Sequence, residues 1–176
     1  MVAAILGFAL GACGGGDTVE GPPPAAPDRI RITSPAFAAN ASIPARFTCD
    51  GEGVSPPLRW TGVPAATRSL ALLMEDPDAP DGTFVHWTLF GIAPRSTGLR
   101  QGEVPAGARE GQNSFGDEGY GGPCPPEGDQ PHRYVFTLYA LRAAPELDAG
   151  ASPSDVRDAI GDAAVARGRL TGRFGR

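Results

Sequence analysis

The chain has 176 residues, enough for one domain that buries about two thirds of its surface on folding. Its formal net charge of -5 argues against a nucleic-acid partner, because nucleic-acid-binding proteins present basic surfaces. The 25 glycines and 19 prolines lie between apolar runs throughout the chain. This punctuation indicates a β domain with many turns.

The N-terminal segment has features of an export signal. Residues 1–13 form an apolar stretch that is too short to span a bilayer, which takes about 20 residues. The stretch ends in Leu10-Gly11-Ala12-Cys13, which resembles the bacterial lipobox, in which the cysteine is lipidated and becomes the mature N-terminus. No Arg or Lys precedes the apolar run, and an N-terminal core strand is the alternative interpretation.

The residues after the cysteine predict how the chain is divided. Residues 14–28 are rich in glycine and proline, a composition typical of a flexible and then semi-rigid tether. We therefore expect a lipoprotein signal segment at 1–13, a tether at 14–28 and a folded domain at 29–176. Lipidation of Cys13 would place this domain in the cell envelope, on the periplasmic or extracellular side of a bacterial membrane.

Two cysteines remain when Cys13 is set aside. Cys49 and Cys124 both lie in turn-like sequence, and an oxidising compartment allows them to form a disulfide. The alternative is a pair of separately buried thiols, because the sequence does not give the distance between them.

Alternating apolar runs and turn residues predict the secondary structure. Ser152 and Pro153 have the residue types of a helix N-cap and first helical position, and Gly168 can end that helix. The long Gly/Pro-rich segment 93–131 exceeds the usual length of a structureless loop, which suggests a functional role. The predicted strands are 29–37, 43–51, 55–60, 69–76, 83–92, 132–141 and a last one within 169–176.

Both histidines of the chain lie in predicted strands. Since side chains two residues apart share one face of a strand, His86 should lie with Phe84 and Phe90, and His132 with Tyr134. A buried neutral histidine without hydrogen-bond partners costs about 1–3 kcal/mol. Each histidine should therefore have a polar partner close by.

The segment "DPDAP" supplies two candidate partners. Asp76 and Asp78 follow the apolar run 69–76, which leads into the corner before His86. The two prolines stiffen that corner, so less conformational entropy is lost when a ligand binds there.

Five segments in this order, "FTCDGEGVSPPLRW", "EDPDAP", "VHW", "GYGGPCPP" and "PHRYVFTLYAL", resemble the phosphatidylethanolamine-binding protein family. Within the family they are most similar to its bacterial, Raf kinase inhibitor-like branch, and the match runs from about residue 30 to the C-terminus. The resemblance implies a mainly β fold with minor α content, in which a large antiparallel sheet packs on a smaller one and a helix lies near the C-terminus.

The resemblance also implies a small surface pocket for phosphate-like anions. Cys124 stands where many eukaryotic members have a glycine, which would alter that part of the rim. The pocket residues carried over onto this chain are Asp76, Asp78, His86, His132 and Tyr134, with Gly122 and Cys124 in the wall.

We therefore predict an exported, lipid-anchored binding protein for a phospholipid head group or a phosphomonoester, with no cofactor and no catalytic residue. An interaction protein that inhibits a protein partner through the pocket rim is the main alternative. A hydrolase with Cys124 as nucleophile and His132 as base is a further one, and it needs a free thiol. A metal site built from His86, His132, Asp76 and Asp78 has suitable ligand types, but it lacks a close pair of ligands in the sequence.

Overall fold

The computed structural model describes residues 18–176, so the lipobox and Cys13 lie outside the described residues. No helix within 18–176 is long and apolar enough to cross a membrane. The elements are β1 (Arg31–Thr33), β2 (Leu58–Thr61), β3 (Ser69–Asp76), β4 (Phe84–Ile92), β5 (Gly98–Leu99), β6 (Arg109–Glu110), β7 (His132–Leu141), α1 (Pro153–Ala163) and β8 (Ala164–Phe174).

The strands form two antiparallel sheets. A three-stranded sheet has the order β1-β2-β5, and a five-stranded sheet has the order β6-β4-β3-β7-β8. The helix α1 lies near the C-terminus, directly before β8. This mainly β arrangement confirms the predicted fold class.

Strand β3 lies in the middle of the large sheet, and all eight of its residues are buried. Its alternate side chains enter two different cores, because successive side chains of a strand point to opposite faces. Leu70, Leu72 and Met74 pack in the cluster that includes the small sheet, and Ala71 and Leu73 pack in the cluster that includes α1. An uninterrupted apolar run is what burial on both faces requires.

The helix begins where the sequence predicts and ends earlier. The Ser152 hydroxyl accepts a hydrogen bond from the Asp155 backbone N–H at 3.2 Å, as an N-cap residue does. The predicted end at Gly168 is wrong, because β8 follows α1 directly at Ala164. Residues 164–168 instead pair with β7 as the first part of this strand.

The strand predicted at 43–51 is also wrong. A single 3-10 turn, Ala45–Phe47, lies in this segment. The backbone N–H and the hydroxyl of Thr48 both donate to the Ala45 carbonyl, and Gly53 N–H donates to the Arg46 carbonyl. Local turn hydrogen bonds thus satisfy polar groups that a strand would pair with a neighbouring strand.

The second half of the predicted tether packs on the domain. Val19 forms an isolated antiparallel bridge with Thr83 and is only 9% exposed. The Pro24 carbonyl accepts hydrogen bonds from Tyr139 and Arg167. Residues 18–28 are therefore packed on the domain and do not form a freely flexible tether. The domain boundary itself stays a prediction.

Candidate functional site

A cavity of about 200 Å³ lies where three central strands of the large sheet end or begin. Asp76 is the last residue of β3, Phe84 the first of β4 and His132 the first of β7. Strands β4 and β7 both run antiparallel to β3, so these three residues meet at the same end of the three strands. The residues that line the cavity are Thr18, Asp76, Ala79, Pro80, Asp81, Phe84, His86, Phe115, Cys124, Pro125, Pro126 and His132.

A β-bulge brings His86 into this cavity. Glu75 pairs with Val85 and Met74 pairs with Trp87, so His86 is the extra residue on β4. Phe84 and His86 both line the cavity, as expected, whereas Phe90 packs in the cluster with α1. The expectation that Phe90 shares the His86 face is wrong, because an extra residue shifts the alternation of side chains by one position.

The most buried polar contact of the cavity joins His132 to Asp76. His132 Nδ1 lies 2.8 Å from Asp76 Oδ2, and the two side chains are only 8% and 4% exposed. The second carboxylate oxygen, Oδ1, accepts the Asp78 backbone N–H at 2.8 Å. His132 Nε2 lies 4.0 Å from a carboxylate oxygen of half-exposed Asp129, beyond hydrogen-bonding distance.

His86 has a different partner from the one expected. Its Nδ1 lies 2.9 Å from the Gly121 carbonyl oxygen, which only accepts, so Nδ1 carries the proton. Burial lowers the pKa of His86, and the Gly121 carbonyl opposes this shift. His86 is therefore a neutral ring, and a residue of the segment 93–131 holds it rather than an aspartate.

Aromatic side chains surround the His86 ring. Its centroid lies 5.0 Å from that of Phe84, 5.5 Å from Phe115 and 5.1 Å from Tyr134. The contacts with Phe115 and Tyr134 are edge-to-face, a favourable geometry for aromatic rings. Three ring contacts and one hydrogen bond fix the orientation of this histidine.

The hydroxyl of Tyr134 is buried without a well-formed hydrogen-bond partner among residues 18–176. Burial raises the pKa of Tyr134, and the Asp76 carboxylate raises it further. The hydroxyl therefore keeps its proton at neutral pH. The hydroxyl interacts with the Asp76 carboxylate and the Cys124 backbone, and Tyr134 lies behind the cavity lining rather than in it.

Asp78 lies on the outer side of the site. Its carboxylate binds Arg133 through two oxygens, with contacts of 2.6 Å to Nη2 and 2.9 Å to Nε, and also accepts the Arg133 backbone N–H. The Arg133 guanidinium holds the pKa of the Asp78 carboxyl below its usual range. Asp78 thus supports the corner that carries Asp76 rather than partnering a histidine.

The part of the cavity wall that comes from the segment 93–131 contains a disulfide. Cys49 and Cys124 are bonded, and their Cα atoms are 5.4 Å apart. Cys124 lines the cavity, whereas Gly122 lies behind the wall against Thr48, close to its Cα atom. The disulfide removes the free thiol that the hydrolase alternative requires.

Sequence reasoning missed much of the rim. Phe115, Pro125 and Pro126 come from the segment 93–131, whose unusual length was the one signal of a functional role. Ala79 and Pro80 belong to the "DPDAP" segment itself. Within residues 18–176, no group of three or more His, Cys, Asp and Glu side chains has an arrangement that could hold a metal ion.

Comparisons with known proteins show the family to which the chain belongs. The sequence model of the phosphatidylethanolamine-binding protein family matches residues 33–175. A Mycobacterium tuberculosis protein provisionally named lipoprotein LppC is 45% identical over 185 residues, which cover 96% of this chain and 91% of that protein. A UPF0098 protein of Methanothermobacter thermautotrophicus is 45% identical over 152 residues, covering 84% of this chain and 99% of its own.

A solved structure gives the same fold. YbcL of E. coli, described as a new member of the mammalian PEBP family, superimposes with a TM-score of 0.80 at 32% identity. The match covers 84% of this chain and 99% of YbcL.

The lowered pKa of His86 predicts how stability depends on pH. Below a pH of about 6.5 the unfolded state binds a proton that folded His86 does not take up, so the free energy of unfolding falls as pH drops. The limit for one group is about 1.4 kcal/mol per pH unit. Because His86→Gln cannot titrate, its urea-unfolding free energy should fall less than that of the unchanged protein between pH 7 and pH 5.5. Parallel pH profiles for the two proteins would contradict this assignment of a neutral ring.

Proposed function

Since this chain belongs to the phosphatidylethanolamine-binding protein family, we propose that it is an exported, lipid-anchored binding protein whose cavity holds the phosphate group of its ligand. The ligand is a phospholipid head group or a phosphomonoester. The cavity volume of about 200 Å³ lies below the range of drug-sized ligand sites, which suits a small polar group.

The buried pair of Asp76 and His132 is the observation that carries this proposal. Asp76 accepts a hydrogen bond from Nδ1–H, so Nε2 is the remaining polar atom of the His132 ring. A phosphate group carries a charge of about -1.5 to -2 near pH 7 and strong acceptor oxygens. With Asp76 on the Nδ1 side of the ring, a proton on Nε2 can be donated to a phosphate oxygen, and that charge-assisted hydrogen bond is stronger than a neutral one.

Further donors complement this contact. The Tyr134 ring packs against His86, and its buried hydroxyl, which interacts with Asp76, is a donor close to the cavity. Neutral His86 has Nε2 as an acceptor, which suits a protonated phosphate oxygen or an O–H group of the ligand. The disulfide and the proline-rich corner hold the walls in place, so little ordering is needed on binding.

The proposal assigns binding rather than catalysis to this site. The Cys124 sulfur is bonded to Cys49, so it is not available as a nucleophile for His132 to activate. The remaining polar groups, Asp76, His86, His132 and Tyr134, suit recognition of an anion.

Two aspartates of the cavity give a matched test. Asp76→Asn should weaken inorganic phosphate binding by about 1.5–3 kcal/mol, because the amide no longer orients and charges His132. Asp81 also lines the cavity but is exposed, and it contacts Thr18 through its backbone carbonyl. Asp81→Asn should therefore leave binding unchanged or tighten it, since it only removes a negative charge near an anion. Calorimetric titration with phosphate at pH 7 measures both effects. Tighter phosphate binding by Asp76→Asn would refute a supporting role for this carboxylate.

Membrane anchoring through Cys13 is supported by two observations. A relative that covers 96% of this chain is provisionally named a lipoprotein. The disulfide between Cys49 and Cys124 fits an oxidising compartment outside the cytoplasm.

Cell fractionation of a Cys13→Ser variant tests this part of the proposal. Without the thiol no thioether-linked lipid can form, so the variant should leave the membrane fraction and appear as soluble protein. Cys13→Ser protein that remains in the membrane fraction as fully as the unchanged protein would show that another feature anchors it.

A further inference from the structure

Residues 18 and 19 lie at the mouth of the cavity. Thr18 lines the cavity, and its hydroxyl donates to the Asp81 carbonyl at 3.1 Å. The Val19 N–H donates to the Thr83 carbonyl at 3.0 Å. Residues 18 and 19 therefore lie between the "DPDAP" corner and β4, next to the site.

A buried ion pair holds the tether at this position. The Nη2 atom of Arg157 in α1 donates to the carbonyls of Gly21 and Pro22 at 3.0 and 2.7 Å. Its Nη1 lies 3.3 Å from Glu75 Oε1, and both side chains are buried, with exposures of 7% and 5%. Burial raises the pKa of Glu75, and Arg157 opposes this shift. Because both charges are out of water, undocking the tether would leave them without part of their compensation.

Chain length limits how far the cavity can lie from the anchor. Five residue steps separate Cys13 from Thr18. A fully extended chain covers at most about 3.6 Å per residue, so the two Cα atoms are within about 18 Å of each other. A lipid on Cys13 thus keeps the cavity mouth, rather than the opposite end of the domain, next to the bilayer.

The mouth itself has an apolar rim over a polar floor. Pro80, Phe115 and Pro126 are exposed, while Asp76 and His132 below them are buried. Phe115 is 50% exposed, and within residues 18–176 Val104 is the one other large apolar side chain with comparable exposure, at 47%. Apolar side chains exposed around a site mark surfaces that contact other molecules or membranes.

We infer that the cavity mouth is a membrane-docking surface that faces the bilayer carrying the anchor, so that the phosphate group it takes belongs to a lipid of that bilayer. This inference rests on the proposed function for both the anchor and the cavity. The docked segment 18–22 fixes the orientation, and the apolar rim contacts the interfacial region. Exposed Asp81 at the rim favours a zwitterionic surface over an anionic one.

Tryptophan fluorescence measures this orientation directly. Cys13 is the one cysteine outside the disulfide, so the full chain can be coupled through it to a maleimide lipid, whether or not cells lipidate it. The vesicles contain phosphatidylcholine and a lipid with a nitroxide quencher on its head group. Phe115→Trp places a probe on the rim, and Val104→Trp is the matched control away from the cavity. Trp60 and Trp87 are 2% and 1% exposed and give the same background in both variants.

We expect quenching several-fold stronger for Phe115→Trp than for Val104→Trp. Inserting about twenty Gly and Ser residues between Gly16 and Asp17 adds a flexible chain with a mean reach of about 25 Å, which should reduce this difference. Equal quenching at the two positions, or none at either, would overturn membrane docking and leave the rim open to a protein partner. Quenching that the insertion does not change would overturn the role of the docked tether.

Phosphate titration of the unchanged protein in solution distinguishes failure of the docking surface from failure of the anion cavity. Phosphate binding together with equal quenching would refute the docking surface and keep the anion cavity. Selective quenching of Phe115→Trp without phosphate binding would support the docking surface and refute the anion cavity.

Discussion

The hydrogen bond between Asp76 and His132 is the contact on which the site depends. It joins the end of β3 to the start of β7, the two strands whose pairing forms the centre of the large sheet. A buried carboxylate and a buried imidazole are both costly without a partner, so each explains why the other is tolerated in an apolar sheet. The pair also leaves one imidazole nitrogen available at the cavity. The same contact thus stabilises the fold and prepares the site.

Around this pair, different constraints hold the remaining walls. A β-bulge and the Gly121 carbonyl position His86, and Arg133 holds the corner through Asp78. The disulfide links Cys124, in the segment 93–131, to Cys49, which follows the 3-10 turn. Because each wall is held by contacts outside the cavity, the positions of the polar side chains on its floor do not depend on a ligand. Such preorganisation reduces the entropy lost on binding.

The sequence predicted the parts of the site that depend on local pattern. Buried β3, the two histidine-bearing strands and the N-cap at Ser152 follow from apolar runs, period-two alternation and capping chemistry. Asp76 was among the candidate partners, but its pairing with His132 and the pairing of His86 with Gly121 depend on strand register and on a bulge that no residue type predicts.

The packing of residues 18–28 on the domain could not be predicted from the sequence either. A Gly/Pro-rich segment is compatible with a free tether, and only the tertiary contacts with Arg157, Tyr139 and Arg167 show that it is held. These contacts connect the proposed anchor to the proposed binding site. The chain that would carry the lipid reaches the domain at the same place where the cavity opens. The anchor proposed at Cys13 and the proposed binding cavity would therefore lie on the same side of the domain.

Nitrogen NMR of the two imidazole rings tests the central claim most directly, because His86 and His132 are the only histidines in the chain. On addition of inorganic phosphate at pH 7, the Nε2 signal of His132 should shift toward that of a nitrogen that donates a hydrogen bond, because the phosphate oxygens are acceptors. His86 should keep one proton, on Nδ1. Phosphate titration that leaves both nitrogens of His132 unchanged, or that protonates His86 instead, would contradict the account.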